Sequence, residues 1–177
     1  MVNLMFSKER IERLVETAGE RLTGDWLLVG DALAALWFSS ERVTEDVDLV
    51  AMSSRPEARY ELMEFALETG LPLEAVNSAA DFFVRRIEGW AEQIALLHQG
   101  SSARIFRPTP TLFLLLKSAR MSDADLEDSL GLLEHANQNA LEVDRARIVA
   151  YLDSLPAAES EPARARRQTL RSALGSS

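Results

Sequence analysis

Apolar residues recur along the first hundred residues with two different spacings, which predict alternating helices and strands. From Ser7 to Leu22 they follow the spacing of one helix face, and Ser7 is a suitable N-cap. Trp26–Val29 is a short apolar run between two glycines, which is typical of a buried strand. The pattern further predicts helices over Asp31–Phe38, Pro56–Thr69 and Ala79–Arg86, strands over Asp46–Ala51 and Leu71–Val76, and a hairpin of Ile94–His98 with Ala103–Phe106.

The rest of the chain has a helical pattern. Helices are predicted over Thr109–Met121, Asp123–Ala136 and Glu142–Ser154, with Ser122 as an N-cap. The tail after Pro156 is rich in Ala, Arg, Ser and Glu, and is either a peripheral helix or disordered. The whole predicts an α+β fold: a small mixed β-sheet with helices packed on it over residues 1–108, a C-terminal helical part packed on this core over 109–155, and the tail over 156–177.

Composition narrows the chemistry. The chain has 177 residues, a net charge of −9 and 47% hydrophobic residues, so we expect a folded protein and not a general nucleic-acid-binding module. It has no cysteine and only two histidines, so any metal is expected to be held by carboxylates, which suit Mg²⁺ or Mn²⁺. The N-terminus lacks the pattern of a signal peptide and no apolar run is long enough to span a bilayer. We therefore expect a cytoplasmic protein without a membrane partner.

One constellation of residues carries chemistry. The first predicted strand ends at Gly30, a helix begins there, and a second strand carries Asp46 and Asp48. Residues two apart on a strand point to the same face, so the two carboxylates are predicted to lie side by side. A divalent cation removes their mutual repulsion, and Mg²⁺ binds through one or two carboxylates together with substrate phosphates. The glycine turn lets backbone amides at a helix N-terminus approach a phosphate.

These features resemble the nucleotidyltransferase superfamily, which has the fold of polymerase-beta-like enzymes. The Arg-x-Thr-x-Asp-x-Asp form of the motif is most similar to small bacterial members related to AbiEii-type toxins. A second block agrees with them, a proline followed by an apolar run, a lysine and an Asp-x-x-Asp pair. The residues that carry the resemblance lie between Trp26 and Leu133, and they are Gly30, Arg42, Thr44, Asp46, Asp48, Pro108, Lys117, Asp125 and Asp128.

The resemblance implies transfer of a nucleotide from an NTP to a hydroxyl on an RNA, a protein or a small molecule. It implies Asp46 and Asp48 as catalytic ligands of Mg²⁺ or Mn²⁺, with Glu74 as the candidate third carboxylate or base. The implied nucleotide-binding residues are Gly30, Asp31, Arg42, Thr44 and Lys117. Membership of a toxin–antitoxin system, with a cognate toxin or antitoxin as partner, is a further implication.

Several alternatives stay open from the sequence. Asp31 stands where the family has a small residue, so it either repels a triphosphate, joins the metal site, or marks a degenerate enzyme that acts as a binding or regulatory partner. Lys117 either offsets phosphate charge or packs its stem on the core. Asp125 and Asp128 are expected to cap a helix and lie at the surface. The adjacent Phe82 and Phe83 are expected to be one buried and one exposed.

Overall fold

The computed structural model describes residues 5–39 and 41–175. The chain divides into two compact units, Met1–Pro108 and Thr109–Ser177. The first unit is α+β and the second is helical. No helix in the described ranges combines the length and the apolarity that crossing a bilayer requires.

The first unit alternates helices with strands. Its helices are α1 (Lys8–Arg21), α2 (Gly30–Trp37), α3 (Ala58–Glu68) and α4 (Asp81–Arg85). Its strands are β1 (Gly24–Val29), β2 (Val47–Ala51), β3 (Val76–Asn77), β4 (Ile94–Gln99) and β5 (Ala103–Pro108). Short 3-10 turns lie at Leu73–Ala75 and Trp90–Glu92.

The five strands form one mixed sheet in the order β3-β2-β1-β5-β4. The central strand β1 is antiparallel to β2 and parallel to β5, and the outer pairs are β2 with β3 (parallel) and β4 with β5 (antiparallel). In the β1–β2 register Val29 lies opposite Asp48, and Trp26 lies opposite Ala51. This register brings the end of β1 beside the start of β2.

The central strand is the core of the first unit. Trp26, Leu27, Leu28 and Val29 are all buried, because β1 is hydrogen-bonded on both edges and contacts α2. A buried strand of this kind is a continuous apolar run and not an alternating one. Helices α1 and α2 contact each other, and α1 also contacts β5. The end of β1 is therefore held rigidly where α2 begins.

The second unit consists of α5 (Pro110–Arg120), α6 (Asp123–Gln138), α7 (Arg145–Ser154) and α8 (Glu161–Gly175). Thr109 caps α5 through its side chain, and Ser122 caps α6 in a capping box with Asp125. Helix α8 contacts α6 and α7 and buries Leu170 and Leu174. Of the two alternatives for the tail, the helix is confirmed over the part of it that the structure describes.

Most predicted elements are confirmed, several with boundaries that differ by one to three residues, and two differences concern candidate site residues. The hairpin is confirmed, and Ser122 caps α6 through its side chain, whereas Ser7 occupies the N-cap position of α1 without a side-chain capping hydrogen bond. The strand predicted over Leu71–Val76 is instead mostly a 3-10 turn followed by two strand residues, so Glu74 lies on a turn. Strand β2 begins at Val47, so Asp46 precedes the strand instead of belonging to it.

Phe82 and Phe83 also differ from expectation. Both side chains are exposed, by 62% and 54%, so the expectation that one of them is buried is wrong. Their rings pack edge to face with centroids 5.5 Å apart, and the Arg86 guanidinium lies over the Phe82 ring. The short helix α4 thus turns its aromatic side chains outward and buries Val84.

Candidate active site

The turn between β1 and α2 is built around Gly30. Its φ is +75°, in the left-handed region that favours glycine. A Cβ atom at this position would lie 2.8 Å from Asp48 Oδ2, closer than real Cβ contacts. The missing side chain therefore leaves room for the Asp48 carboxylate, and the two motif residues form one local unit at the N-terminus of α2.

The backbone register explains this contact. Asp48 lies opposite Val29, the last residue of β1, so its side chain reaches the residue that follows. Its neighbours Val47 and Leu49 point to the other face and are buried, while Asp48 is half-buried. Val50, which lies on the same face as Asp48, is fully buried, so Asp48 stands at the margin of the buried part of β2.

Asp46 is held by Thr44 just before β2 begins. The Thr44 hydroxyl lies 3.2 Å from both the backbone oxygen and Oδ1 of Asp46. The Thr44 backbone is itself fixed by a two-way hydrogen-bonded bridge to Phe6, which is fully buried. Thr44 was predicted to bind nucleotide; in the structure it orients a predicted metal ligand, a role that the sequence reasoning missed.

Asp31 and Arg42 form an ion pair. Arg42 Nη2 lies 3.0 Å from Asp31 Oδ2, and both side chains are partly shielded from solvent. Asp31 also stands in the first turn of α2, where a negative charge is favourable. The negative charge of Asp31 is therefore compensated locally by Arg42.

An open pocket of about 460 Å³ brings several of these residues together. It is lined by Met5, Asp31, Val43, Thr44, Glu45, Asp46 and Glu74. Four of these side chains are carboxylic acids, and no basic residue of the described chain lines the pocket. Glu74 thus shares a pocket with Asp46 although it lies on a turn. Asp48 contacts Gly30 beside α2 and does not line this pocket.

The carboxylates fit Mg²⁺ or Mn²⁺ in their chemistry, because hard cations prefer oxygen ligands. The absence of a side chain at Gly30 leaves room for the Asp48 carboxylate, which agrees with a role for Asp48 as an acidic ligand. Within residues 5–39 and 41–175 no group of three or more histidine or acidic side chains is arranged to hold a metal. Glu74 is therefore not assembled with Asp46 and Asp48 into a three-carboxylate group. Mg²⁺ commonly uses only one or two protein carboxylates, with phosphates and water completing the shell.

Lys117, predicted to bind nucleotide, belongs to a buried ionic cluster in the second unit. Its Nζ lies 2.7 Å from Asp128 Oδ2 and 3.3 Å from Asp125 Oδ1. All three side chains are at most 7% exposed, which agrees with the alternative in which the Lys117 stem packs on the core, and the Lys117 charge is paired within the protein. The expectation that Asp125 and Asp128 lie at the surface is also wrong, although Asp125 does cap α6.

The ionisation of Asp125 is set by opposing effects. Burial raises the pKa of this carboxyl, but hydrogen bonds from Arg120 and from the Ser122 backbone, together with the Lys117 charge, outweigh burial. The pKa of Asp125 is consequently held well below its ordinary value. Asp125 therefore depends on the neighbouring cations Arg120 and Lys117 to offset the cost of its burial.

Comparison of the chain with protein-family models, with curated proteins and with solved structures finds no match.

Proposed function

We propose that this protein is a metal-dependent nucleotidyltransferase that moves a nucleotide from an NTP to a hydroxyl acceptor. The contact between Asp48 and the Cβ-free face of Gly30 carries the proposal. It joins a glycine turn at a helix N-terminus, which suits phosphate, to a carboxylate that suits a divalent cation. Asp46, oriented by Thr44, is the second acidic ligand in this arrangement.

The reaction forms one bond and breaks one. The acceptor oxygen attacks the α-phosphorus of the NTP, the bond from that phosphorus to the bridging oxygen breaks, and pyrophosphate leaves. Bound Mg²⁺ or Mn²⁺ would promote ionisation of the acceptor hydroxyl and stabilise the charge on the leaving pyrophosphate. Asp46 and Asp48 hold the cation in this proposal. Glu74, which lines the same pocket as Asp46, is the candidate to receive the hydroxyl proton.

The Asp31–Arg42 pair has a defined part in the proposal. Arg42 cancels the charge of Asp31 at the start of α2, so the backbone amides of this turn keep their attraction for phosphate. In this proposal the Asp31–Arg42 pair leaves the turn without a net negative charge, as a small uncharged residue at position 31 would. The triphosphate enters as its metal complex, which matches an acidic pocket better than the bare anion does.

Position-specific labelling of the NTP tests the reaction class. The protein is incubated with Mg²⁺, a cell-derived pool of RNA, protein and small molecules, and ATP, CTP, GTP or UTP labelled at either the α- or the γ-phosphate. Nucleotidyl transfer retains the α-label on an acceptor and releases the γ-label in pyrophosphate. Retention of the γ-label would indicate a phosphoryl transferase, and release of inorganic phosphate alone would indicate a hydrolase. Either result would contradict the proposal.

A second candidate function is a catalytically degenerate protein that binds a cognate toxin or antitoxin. The outward-facing pair Phe82 and Phe83 favours it, because adjacent exposed aromatic side chains are typical of protein-binding surfaces. The acidic pocket also has no basic lining residue in the described part of the chain. Replacement of both phenylalanines by serine distinguishes the two functions. It abolishes partner capture in the second candidate and leaves nucleotide transfer unchanged in the first.

A further inference from the structure

A second pocket, of about 340 Å³, lies on the first unit at the other end of the β1–β2 pair. Trp26 and Ala51 both line it and are partners in the strand register, three positions from Val29 and Asp48. At the rise of a strand this is a separation of roughly 10 Å along the sheet. The second pocket is therefore distinct from the acidic pocket.

The charge of this pocket is opposite to that of the acidic pocket. Three arginines line it, and Asp81 is its one acidic residue in the described chain. The arginines are Arg55, Arg59 and Arg85, and three serines, Ser53, Ser54 and Ser78, line the cavity with them. Arg55 and Arg85 each have a carboxylate partner, so the excess positive charge at this cavity comes from Arg59.

Two of the arginines are fixed by the fold. Arg55 Nη2 donates to the Thr23 carbonyl at 2.9 Å and lies 3.0 Å from Glu61 Oε2. Arg85 donates to the Ala51 carbonyl and to Asp81 Oδ1, each at 2.8 Å. These contacts hold both guanidinium groups in place and partly neutralise their charge. Arg55 and Arg85 therefore form part of the cavity wall and contribute little net positive charge.

The third arginine and three hydroxyls are not used by the fold. Arg59 is exposed and makes no hydrogen bond or ion pair with any residue in the described ranges. The hydroxyls of Ser53, Ser54 and Ser78 likewise have no hydrogen-bond partner among the described side chains and backbone groups. The Arg59 guanidinium and the three hydroxyls thus line one cavity as donors that a ligand can engage in place of water.

We propose that this cavity binds the phosphate group of a small phosphorylated molecule. A phosphate offers several acceptor oxygens and a negative charge, which match the Arg59 guanidinium and the three hydroxyls. Ala58, the first residue of α3, also lines the cavity; its amide donates to the Arg55 carbonyl, and the N-terminus of the helix contributes a favourable dipole. The cavity volume exceeds that of a bare phosphate ion and leaves space for a small attached group.

Phosphate titration followed by backbone amide NMR tests the site. Inorganic phosphate is added to the full chain in the presence of EDTA, which prevents a metal–phosphate complex from entering the acidic pocket. We expect saturable shifts at Ser53, Ser54, Arg59 and Ser78 and no saturable shift at Gly30. Non-saturating changes spread over the chain would show a general salt effect and would overturn the proposal.

Variants of Arg59 sharpen the test, because its side chain is exposed and supports no described contact. Arg59→Gln is expected to weaken phosphate binding about tenfold, the loss of one charge-assisted interaction, and Arg59→Lys to restore part of it. Arg13→Gln is the matched control, since it removes the same charge from an exposed position on α1. Equal binding by Arg59→Gln and Arg13→Gln would overturn the site.

A final comparison identifies the source of the phosphate. Glycerol phosphate and a 5′-phosphorylated oligonucleotide are titrated against the same protein. The proposal predicts that glycerol phosphate binds at least as tightly as inorganic phosphate and competes with it. Binding of the oligonucleotide alone, with no effect of either small phosphate, would show a nucleic-acid surface and contradict the small-molecule proposal.

Discussion

Replacement of Gly30 by alanine is expected to cause both backbone strain and displacement of the Asp48 carboxylate, and a control variant separates the two effects. The φ of +75° costs a non-glycine residue about 1–2 kcal/mol in the left-handed region. The new Cβ would also lie 2.8 Å from Asp48 Oδ2, so the carboxylate has to move by about 0.6 Å to reach an ordinary contact of 3.4 Å. Two effects therefore act at once, one on stability and one on the position of the proposed metal ligand.

Gly70→Ala is the matched control. Gly70 has a φ of +68°, and a Cβ there would meet nothing within 4 Å. Gly70→Ala therefore introduces the same kind of strain and leaves Asp48 in place. Urea unfolding is expected to show losses of about 1–2 kcal/mol for both variants, because both force alanine into the same backbone region.

Metal-dependent nucleotide binding is expected to distinguish the two variants. A shift of this size at a group that positions substrate has large effects, so Gly30→Ala is expected to weaken Mg²⁺-dependent NTP binding about tenfold or more. Gly70→Ala is expected to bind as the wild type does. Wild-type affinity in Gly30→Ala, at the expected loss of stability, would refute the inference that the Gly30–Asp48 contact organises the site.

Three further predictions concern the charged residues. Asp31→Gly releases Arg42 for phosphate and is expected to tighten NTP binding in calorimetry; weaker binding would make Asp31 a metal ligand. Lys117→Met removes the ammonium group that contacts the buried carboxylates of Asp125 and Asp128 and is expected to cost about 3–5 kcal/mol in urea unfolding, whereas lost NTP affinity at unchanged stability would contradict the structural role. Because the folded-state pKa of Asp125 is lowered, its contribution to stability is present above its unfolded pKa of about 3.9 and is lost as the pH falls through the folded pKa. Between pH 5 and 2 the unfolding free energy of Asp125→Asn is expected to change less than that of the wild type, and equal changes would exclude Asp125 as a source of acid sensitivity.

The local pattern of apolar and polar residues was sufficient to predict the central strand and the hairpin of the first unit. The run Trp26–Val29 predicted β1 because a strand buried on both faces is continuously apolar. The hairpin of β4 and β5 was predictable because its strands are separated by a short polar turn. The region around Leu73 and Glu74 was not, because its two-residue strand depends on pairing with β2, a contact distant in sequence.

The candidate site was predictable in composition but not in its contacts. The family resemblance implied that Gly30 and Asp48 share a site, whereas their direct contact follows from the β1–β2 register. The pairing of Asp31 with Arg42 crosses a loop of irregular structure, so no periodicity indicates it. The ion pairs of Lys117 were not predictable, because its partners come from the next helix and the burial of all three side chains depends on helix packing.

The arginine-lined cavity was missed because its residues come from three segments of the chain. Arg55 and Arg59 flank the start of α3, and Arg85 ends α4. The short run Ser53-Ser54-Arg55-Pro56, with Arg59 one helical turn further on, was the available signal. Such a run has no regular period, and only the fold shows that its donors share a cavity with Ser78.

Calorimetric titration of the protein with each NTP, with and without Mg²⁺ or Mn²⁺, tests the central claim most directly. The account predicts saturable binding that requires the metal and that is abolished when Asp46→Asn and Asp48→Asn are combined. A variant that replaces two exposed carboxylates elsewhere on the first unit, Glu16→Gln with Glu64→Gln, is expected to bind as the wild type does. Absence of nucleotide binding by the wild type, or equal binding by the Asp46/Asp48 variant, would contradict a metal-dependent nucleotide site at Gly30, Asp46 and Asp48.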